Sequence, residues 1–333
     1  MKIISRAGSA IKTSIHSARR HMAIAVTSSL CLAGFAGIAC GESFPPAYYQ
    51  NFPVPPYPQG MAFDGTNIWV TSQSEPKITE LRAADGAMVG TFRVSSAISF
   101  AAVYDGVYIW VTNSAFSGGN LTRLRAADGS TEGVYPAGVG DPYGILFDGT
   151  NIWVTSVGSK NVAKIRASDA AVLGVFQTGA QNTSGAFHLA FDGANVWVAN
   201  SYDNTVAKLR ASDGVLLGTF AVGNFPFGIA FDGSNVWVAN LGDDSVSELR
   251  ASDGALLGTL RVGDAPADVI FAVGHIWTAN VNGNTVSEIG DGPPRLKNYR
   301  AGFAPQNLVS DGTNIWVSDV YGRSVTKLTV NQP

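Results

Sequence analysis

From about Tyr49 onward the chain cycles through short apolar and polar stretches. Residues 228–263 show one round. An apolar run (Gly228, Ile229, Ala230, Phe231) meets a Gly-containing turn at 232–235. A β-branched and aromatic run follows at 236–240, then a polar loop at 241–244. Residues 245–251 alternate, with Val246 and Leu249 apolar. A second turn at 252–254 leads into a last run at 255–262. Period-two alternation between tight turns predicts four short antiparallel strands, and no 3.6-residue period survives across those turns. The tryptophans give the repeat length. Trp69, Trp110, Trp153, Trp197, Trp237, Trp277 and Trp316 share one context, Ile-Trp-Val or a close variant, and lie 39 to 44 residues apart. Seven four-stranded units of that length predict an all-β, seven-bladed propeller. A solenoid is the competing architecture, but its repeats carry fewer strands and need caps at both ends.

The ends decide between them. The seventh unit stops after its third strand (residues 324–330). Residues 49–64 align without a gap on 217–232, which span the fourth strand of one unit and the first strand of the next. The segment 49–54 is therefore expected to supply the strand missing from the last blade (303–330). This closes the ring and hides the sheet edges that an open array would expose.

Ahead of the propeller, residues 1–21 carry Lys2, Arg6, Lys12, Arg19 and Arg20 and no acid, and residues 22–39 are apolar and rich in small residues. This reads as a secretory signal over 1–40. Two processing routes fit: cleavage after Gly37-Ile38-Ala39, or lipid attachment at Cys40. Arg19-Arg20 before the apolar stretch hints at twin-arginine export, though most of that motif is missing. A Pro-rich tether (41–48) then leads into the single domain, 49–333. The expected product is exported: periplasmic, secreted or lipid-anchored at the outer surface. Removing the five leader cations from 22 leaves 17 basic against 25 acidic groups, a net of about −8. That balance argues against nucleic acid, and against a membrane surface except through lipid on Cys40. The mature domain has no disulfide framework and is expected to be a monomer.

The strand-two segments at 109–114 (Ile-Trp-Val-Thr-Asn-Ser) and at 196–206 and 236–246 (Val-Trp-Val-Ala-Asn, then a Ser or Thr and Val) resemble the YVTN-type β-propeller repeat. The Asp-Gly-x-Leu-Leu-Gly-Thr tails and Pro-x-Gly beginnings fit it too. The resemblance covers essentially the whole mature chain and implies a bacterial, exported seven-bladed propeller. The chain is also similar, more loosely, to streptogramin lyase propellers, which implies a His working with an acid. Trp-Val-Thr/Ala-Asn stands here in place of that family's Trp-Phe-Thr-Glu-like pattern.

Residues that recur from unit to unit read as structure. The tryptophans pack between blades. The turn aspartates Asp64, Asp105, Asp148, Asp192, Asp232 and Asp311 suit a hairpin. Arg82, Arg125, Arg166, Arg210 and Arg250 face nearby aspartates as a ring of ion pairs. Asn113, Asn200, Asn240, Asn280 and Asp319 are expected to cap the loop after strand two. Function belongs where the units differ, on the face formed by the loops between strands two and three and between blades. Just before strand one the units read Gly60, Ala101, Gly144, His188, Gly228, Asp268 and Asn307. That ring should circle the channel mouth, with His188, Asp268 and Asn307 as its polar members. One residue earlier come Phe100, Tyr143, Phe187 and Phe227, which either line a pocket or pack between blades. Asp243, Asp244, Asp264 and Asp268 on adjacent loops offer hard oxygen ligands suited to Ca²⁺, against the plainer reading of loop carboxylates. No other cofactor is expected.

Three functions compete. A rigid, acidic, exported disc suits non-catalytic recognition of a protein, peptide or glycan. A metal-assisted lyase or lactone hydrolase would use Asp268 and His188 at the mouth. A passive surface scaffold would need neither. The only other mature histidine, His275, lies in a turn on the opposite face and cannot join His188. No P-loop, HExxH, nucleophile elbow or paired-Cys site is present.

Overall fold

The computed structural model describes residues 47–96, 98–114, 118–179, 185–290 and 295–330. The expected signal over 1–40 lies outside the described residues. Seven four-stranded antiparallel sheets form a closed seven-bladed β-propeller. In blade 5 the strands are Pro226–Phe231, Asn235–Asn240, Ser245–Arg250 and Leu256–Arg261, from the channel outward. Blade 7 consists of Pro305–Ser310, Ile315–Asp319, Ser324–Val330 and, outermost, the N-terminal strand Ala47–Pro53. That strand pairs antiparallel with Ser324–Val330, setting Tyr49 opposite Leu328 and Phe52 opposite Val325. Ring closure is as the alignment of the two ends requires. The pairing begins two residues earlier than the expected strand, because the partner strand continues through Val330.

We call the face with the strand 2–3 and inter-blade loops the top, and the face with the two hairpin turns the bottom. The turn aspartates do more than shape a hairpin. In each, one carboxylate oxygen accepts turn amides, as Asp232 does from Ser234 and Asn235. The other oxygen accepts the indole N–H of the tryptophan five residues on, at 2.6–2.8 Å in six blades. Blade 6 has no such aspartate, and Trp277 donates to the Ala272 carbonyl instead. The indoles are 0–6% exposed and pack against the next blade: Trp110 lies among Ile152, Val154 and Ile165, and Trp153 among Val196 and Leu209.

Opposite each tryptophan on strand three sits a charged residue. Where it is basic it reaches the following blade. Lys164 Nζ donates to the carbonyls of Ala211 and Ser212, Lys208 to Ala251 and Ser252, and Lys327 to Ala83 and Ala84 across the closing seam. Arg123 donates to the Ala167 carbonyl. The exposed arginine–aspartate pairs form in blades 1, 3, 4 and 5. In blade 2 Asp128 instead accepts from Ser130.

The residue ending strand two departs from the expected loop cap. It is fully buried and ties strand two to strand three, or to the preceding blade. Asn240 Nδ2 donates to the Ser245 and Ser247 hydroxyls, Asn280 to Thr285 and Ser287, and Asn113 to Thr122. Asn200 bonds Thr178 of blade 3. In blade 7 an acid takes this place. Ser324 and Thr326 donate to Asp319 Oδ2, yet burial outweighs them and pushes the carboxyl up to about 6. The folded chain thus holds that proton more tightly than the unfolded chain. The corresponding stability is fully present below pH 4 and is lost as pH rises through 6. Asp319→Asn is therefore expected to raise unfolding stability by about 2 kcal/mol at pH 7.5, with the gain vanishing near pH 4. Urea unfolding of both chains at the two pH values measures it.

Candidate functional site

Each inner strand carries one extra residue relative to its neighbour at its top end. In blade 5, Pro226 faces Asn240 but Ile229 faces Val238; in blade 6, Pro266 faces Asn280 but Asp268 faces Ala279. A bulge of this kind re-aims side chains, and it falls on the two rings singled out from the sequence. Strand-two hydroxyls support it: Thr112 Oγ1 accepts from Ala101 N, Thr155 Oγ1 from Gly144 N, and Ser318 Oγ from Asn307 N. Glycine is required where neighbouring inner strands close up. A Cβ on Gly228 would lie 2.6 Å from Asp268 Cα.

That bare position in blade 5 lets His188 of blade 4 meet Asp268 of blade 6, with Nδ1 3.6 Å from Oδ1. Asp268 is 4% exposed. Its Oδ1 accepts the Val269 amide at 3.0 Å, and its Oδ2 accepts Asn307 Nδ2 at 2.8 Å and the Leu308 amide at 2.9 Å. Asn307 Oδ1 in turn accepts the Met61 amide of blade 1 at 2.9 Å. A polar belt thus runs around half the mouth, through blades 4, 6, 7 and 1. Gln59 donates to Gln306 beside it.

The other half is aromatic. Tyr143, Phe187 and Phe227 are 2–3% exposed. Their ring centroids lie 5.0 Å (Tyr143–Phe187), 4.6 Å (Phe187–Phe227) and 5.8 Å (Tyr143–Phe227) apart, the last a contact that spans blades 3 and 5. Phe100, half-buried, joins Tyr143 at 4.6 Å. Burial first, then the Asp268 charge, pushes the Tyr143 hydroxyl well above its usual range. His188 is where the halves join, 5.2 Å from the Phe227 ring and 5.7 Å from Tyr143. Three of the four rings are thus closed on one another, and Phe100 is the more open member of the set.

The four aspartates do not converge. Asp243 accepts the Asn224 amide, and Asp244 accepts the Ala265 amide with Arg261 3.5 Å away. Asp264 lies against Asp244; burial and then that shared contact push its carboxyl up. Asp268 faces the channel mouth instead. Among the described residues no three His, Cys, Asp or Glu side chains are grouped to hold a metal ion. His275 sits at the bottom, its Nδ1 2.5 Å from the buried Glu288, which also accepts the Tyr299 hydroxyl. The structure keeps it apart from His188.

Reading the sequence missed a set of exposed aromatics on the top loops: Tyr57, Tyr202, Phe303 and Tyr321, with half-buried Phe225 beside them. The signal was available. Tyr202 and Tyr321 occupy equivalent positions two residues after strand two, and Tyr57 and Phe225 each precede a lead-in proline.

Fold and site define a seven-bladed propeller with a half-aromatic, half-polar channel mouth. Among solved structures it is similar to streptogramin B lyase, with a TM-score of 0.73 at 18% identity over 86% of this chain and 98% of that one. At that identity the likeness is one of fold. No protein-family model matches the chain, and no curated protein matches it.

Proposed function

We propose that the chain is an exported, non-catalytic binding propeller that recognises a protein, peptide or glycan partner on its top face. The observation that carries this reading is the state of the mouth. Both oxygens of Asp268 are engaged in holding neighbouring backbone and Asn307, and the aromatics beside it are closed on one another. The side chains still offered to a partner belong to the variable loops of a rigid scaffold, where binding residues collect. Export rests on the basic-then-apolar leader. The first described strand enters the propeller at the bottom, where Ala47 pairs with Val330.

The mature domain lacks cysteine after Cys40, which permits a face-blocking test. In a Cys40→Ser background, Ser74→Cys on a top loop and Ser212→Cys on a bottom turn are each coupled to a polyethylene glycol maleimide. Polymer on the top is expected to abolish capture of partners from extracts of the source cell, and polymer on the bottom to leave it intact. Equal capture by both conjugates would count against a top-face binder.

One observation favours a second reading. The buried Asp268 carboxylate near His188 is an arrangement that orients an imidazole as a general base, and the similar solved structure is a lyase. A lyase or lactone hydrolase, metal-assisted or not, would then work at the mouth. Turnover of lactone probes that disappears in His188→Ala would select this reading; no turnover in either chain leaves recognition.

A further inference from the structure

Two seams of the top rim carry the same aromatic corner. Between blades 4 and 5, Tyr202 meets Phe225 edge to face, with centroids 5.4 Å apart and planes at 85°. Between blades 7 and 1, Tyr321 meets Tyr57 at 6.0 Å and 84°. Phe303, 60% exposed, extends the second corner at 5.8 Å from Tyr321. Both lead-in aromatics have a left-handed backbone, φ 54° at Tyr57 and at Phe225. Bulky residues are uncommon there, and such outliers gather at ligand clamps. The loops hold them in place: Phe225 N donates to Asn204 Oδ1 at 2.9 Å, and the Tyr57 carbonyl accepts from Gln73 N. Equivalent loops in blades 3, 6 and 7 keep the same backbone with Asp141, Ala265 and Ala304, so the loop shape does not require an aromatic.

We infer that the two corners are stacking sites for neutral pyranose units of one repeating glycan. This deepens the top-face binding reading and rests on it. A pyranose presents a flat C–H face to an aromatic ring and hydroxyls around its rim, and amphipathic Tyr rings suit such a mixed surface. Rings at right angles leave one flat face and a wall. They do not form the groove of facing rings that would take the prolines of a polyproline II peptide. Polar groups flank each corner: exposed Asn224 beside Phe225, and exposed Ser74 and half-buried Gln73 beside Tyr57. The Gln73 side-chain nitrogen is buried without a hydrogen-bond partner. Charge is not offered equally. At the first corner Lys160 is already ion-paired with Asp203, whereas Arg323 is exposed beside the second, so a ligand common to both is neutral. Two equivalent sites on one rigid face, three blades apart, favour a polymer through avidity.

Native affinity electrophoresis in gels containing hydroxyethyl cellulose, glycol chitin or galactomannan tests this. Retardation by at least one polymer is expected. Tyr202→Ala or Tyr321→Ala should each weaken it on the order of tenfold, and the double variant roughly 100-fold or more. The bottom-face variant Arg210→Ala is the control, and matching melting curves establish that every variant is folded. No retardation by any of the three polymers, retardation indifferent to the tyrosines, or tyrosine-dependent binding of a decaproline peptide instead would each overturn the assignment. If the polymers fail while polymer on Ser74→Cys still blocks partner capture, the sugar assignment falls and the top-face reading stands.

Discussion

Phe52→Ala is expected to cost about 3 kcal/mol of stability, and to lower the melting temperature by roughly 6–12 °C. Phe52 belongs to the N-terminal strand but serves both sides of the closing seam. Its ring stacks on Trp316 of blade 7, with centroids 5.5 Å apart and planes at 29°. It also covers Gly86 in the turn of blade 1. That glycine has φ +72°, and a Cβ there would lie 2.0 Å from the Phe52 ring. Val54, Ile68, Leu81 and Val325 complete the same cluster. Truncation therefore opens a cavity bordered by two blades that no other strand can fill. Partial exposure of Phe52 keeps the figure at the low end of aromatic deletions. Removing the whole closing strand should do more. A chain that begins at Val54 leaves Ser324–Val330 as an unpaired edge in a ring with no cap, and such edges template aggregation. The cooperative thermal transition should disappear. A Phe52→Ala chain that melts within 2 °C of the parent would remove the closing strand from its role as a clasp.

The same aromatic recurs as Phe92, Phe176 and Phe220, each packed at a tilt against its own blade's tryptophan and covering the turn glycine of the next. This is why the ring was legible from the chain. Packing that repeats through seven blades leaves a periodic trace, and the gap-free match of residues 49–64 to 217–232 is that trace crossing the two ends. The fixed spacing of five residues between Asp and Trp was visible too, but a hairpin explains the aspartate by itself, so the bond between them was not read. What the chain could not show is geometry that skips a unit. His188 and Asp268 lie two blades apart, and nothing in their spacing says that Gly228 lets them meet. Tyr143 and Phe227 are likewise two blades apart and touch because a bulge turns both rings inward. The aspartates failed to gather for the opposite reason. Adjacent loops bring Asp244 near Asp264, but backbone amides had already fixed where Asp243 and Asp244 point.

Charges buried opposite the tryptophans were the least legible feature and carry the second large effect. A strand-three residue between two apolar ones reads as solvent-facing. Lys208, however, is 7% exposed, with its ammonium 4.9 Å from the Trp197 ring centroid and bonded to two carbonyls of the next blade. Lys208→Met keeps the stem and removes the donor. Two inward carbonyls then lose a charged partner, at a cost of about 1.5–3 kcal/mol, and the cation–π contact adds roughly 1 kcal/mol. Relief from burying the ammonium offsets part of that. A net loss of about 2 kcal/mol is expected in urea unfolding at pH 7. Glu80, Glu248 and Glu288 hold the corresponding place in blades 1, 5 and 6, so no lysine clamp crosses the seams from 1 to 2, 5 to 6 or 6 to 7. Glu248 does reach Arg295 of blade 6 at 3.6 Å, but the arginine is exposed and such a pair is worth little. Hydrogen exchange should open those three seams before the clamped ones. In Lys208→Met the seam between blades 4 and 5 should join them. An unchanged exchange order in that variant would mean that the tryptophans alone hold the blades together.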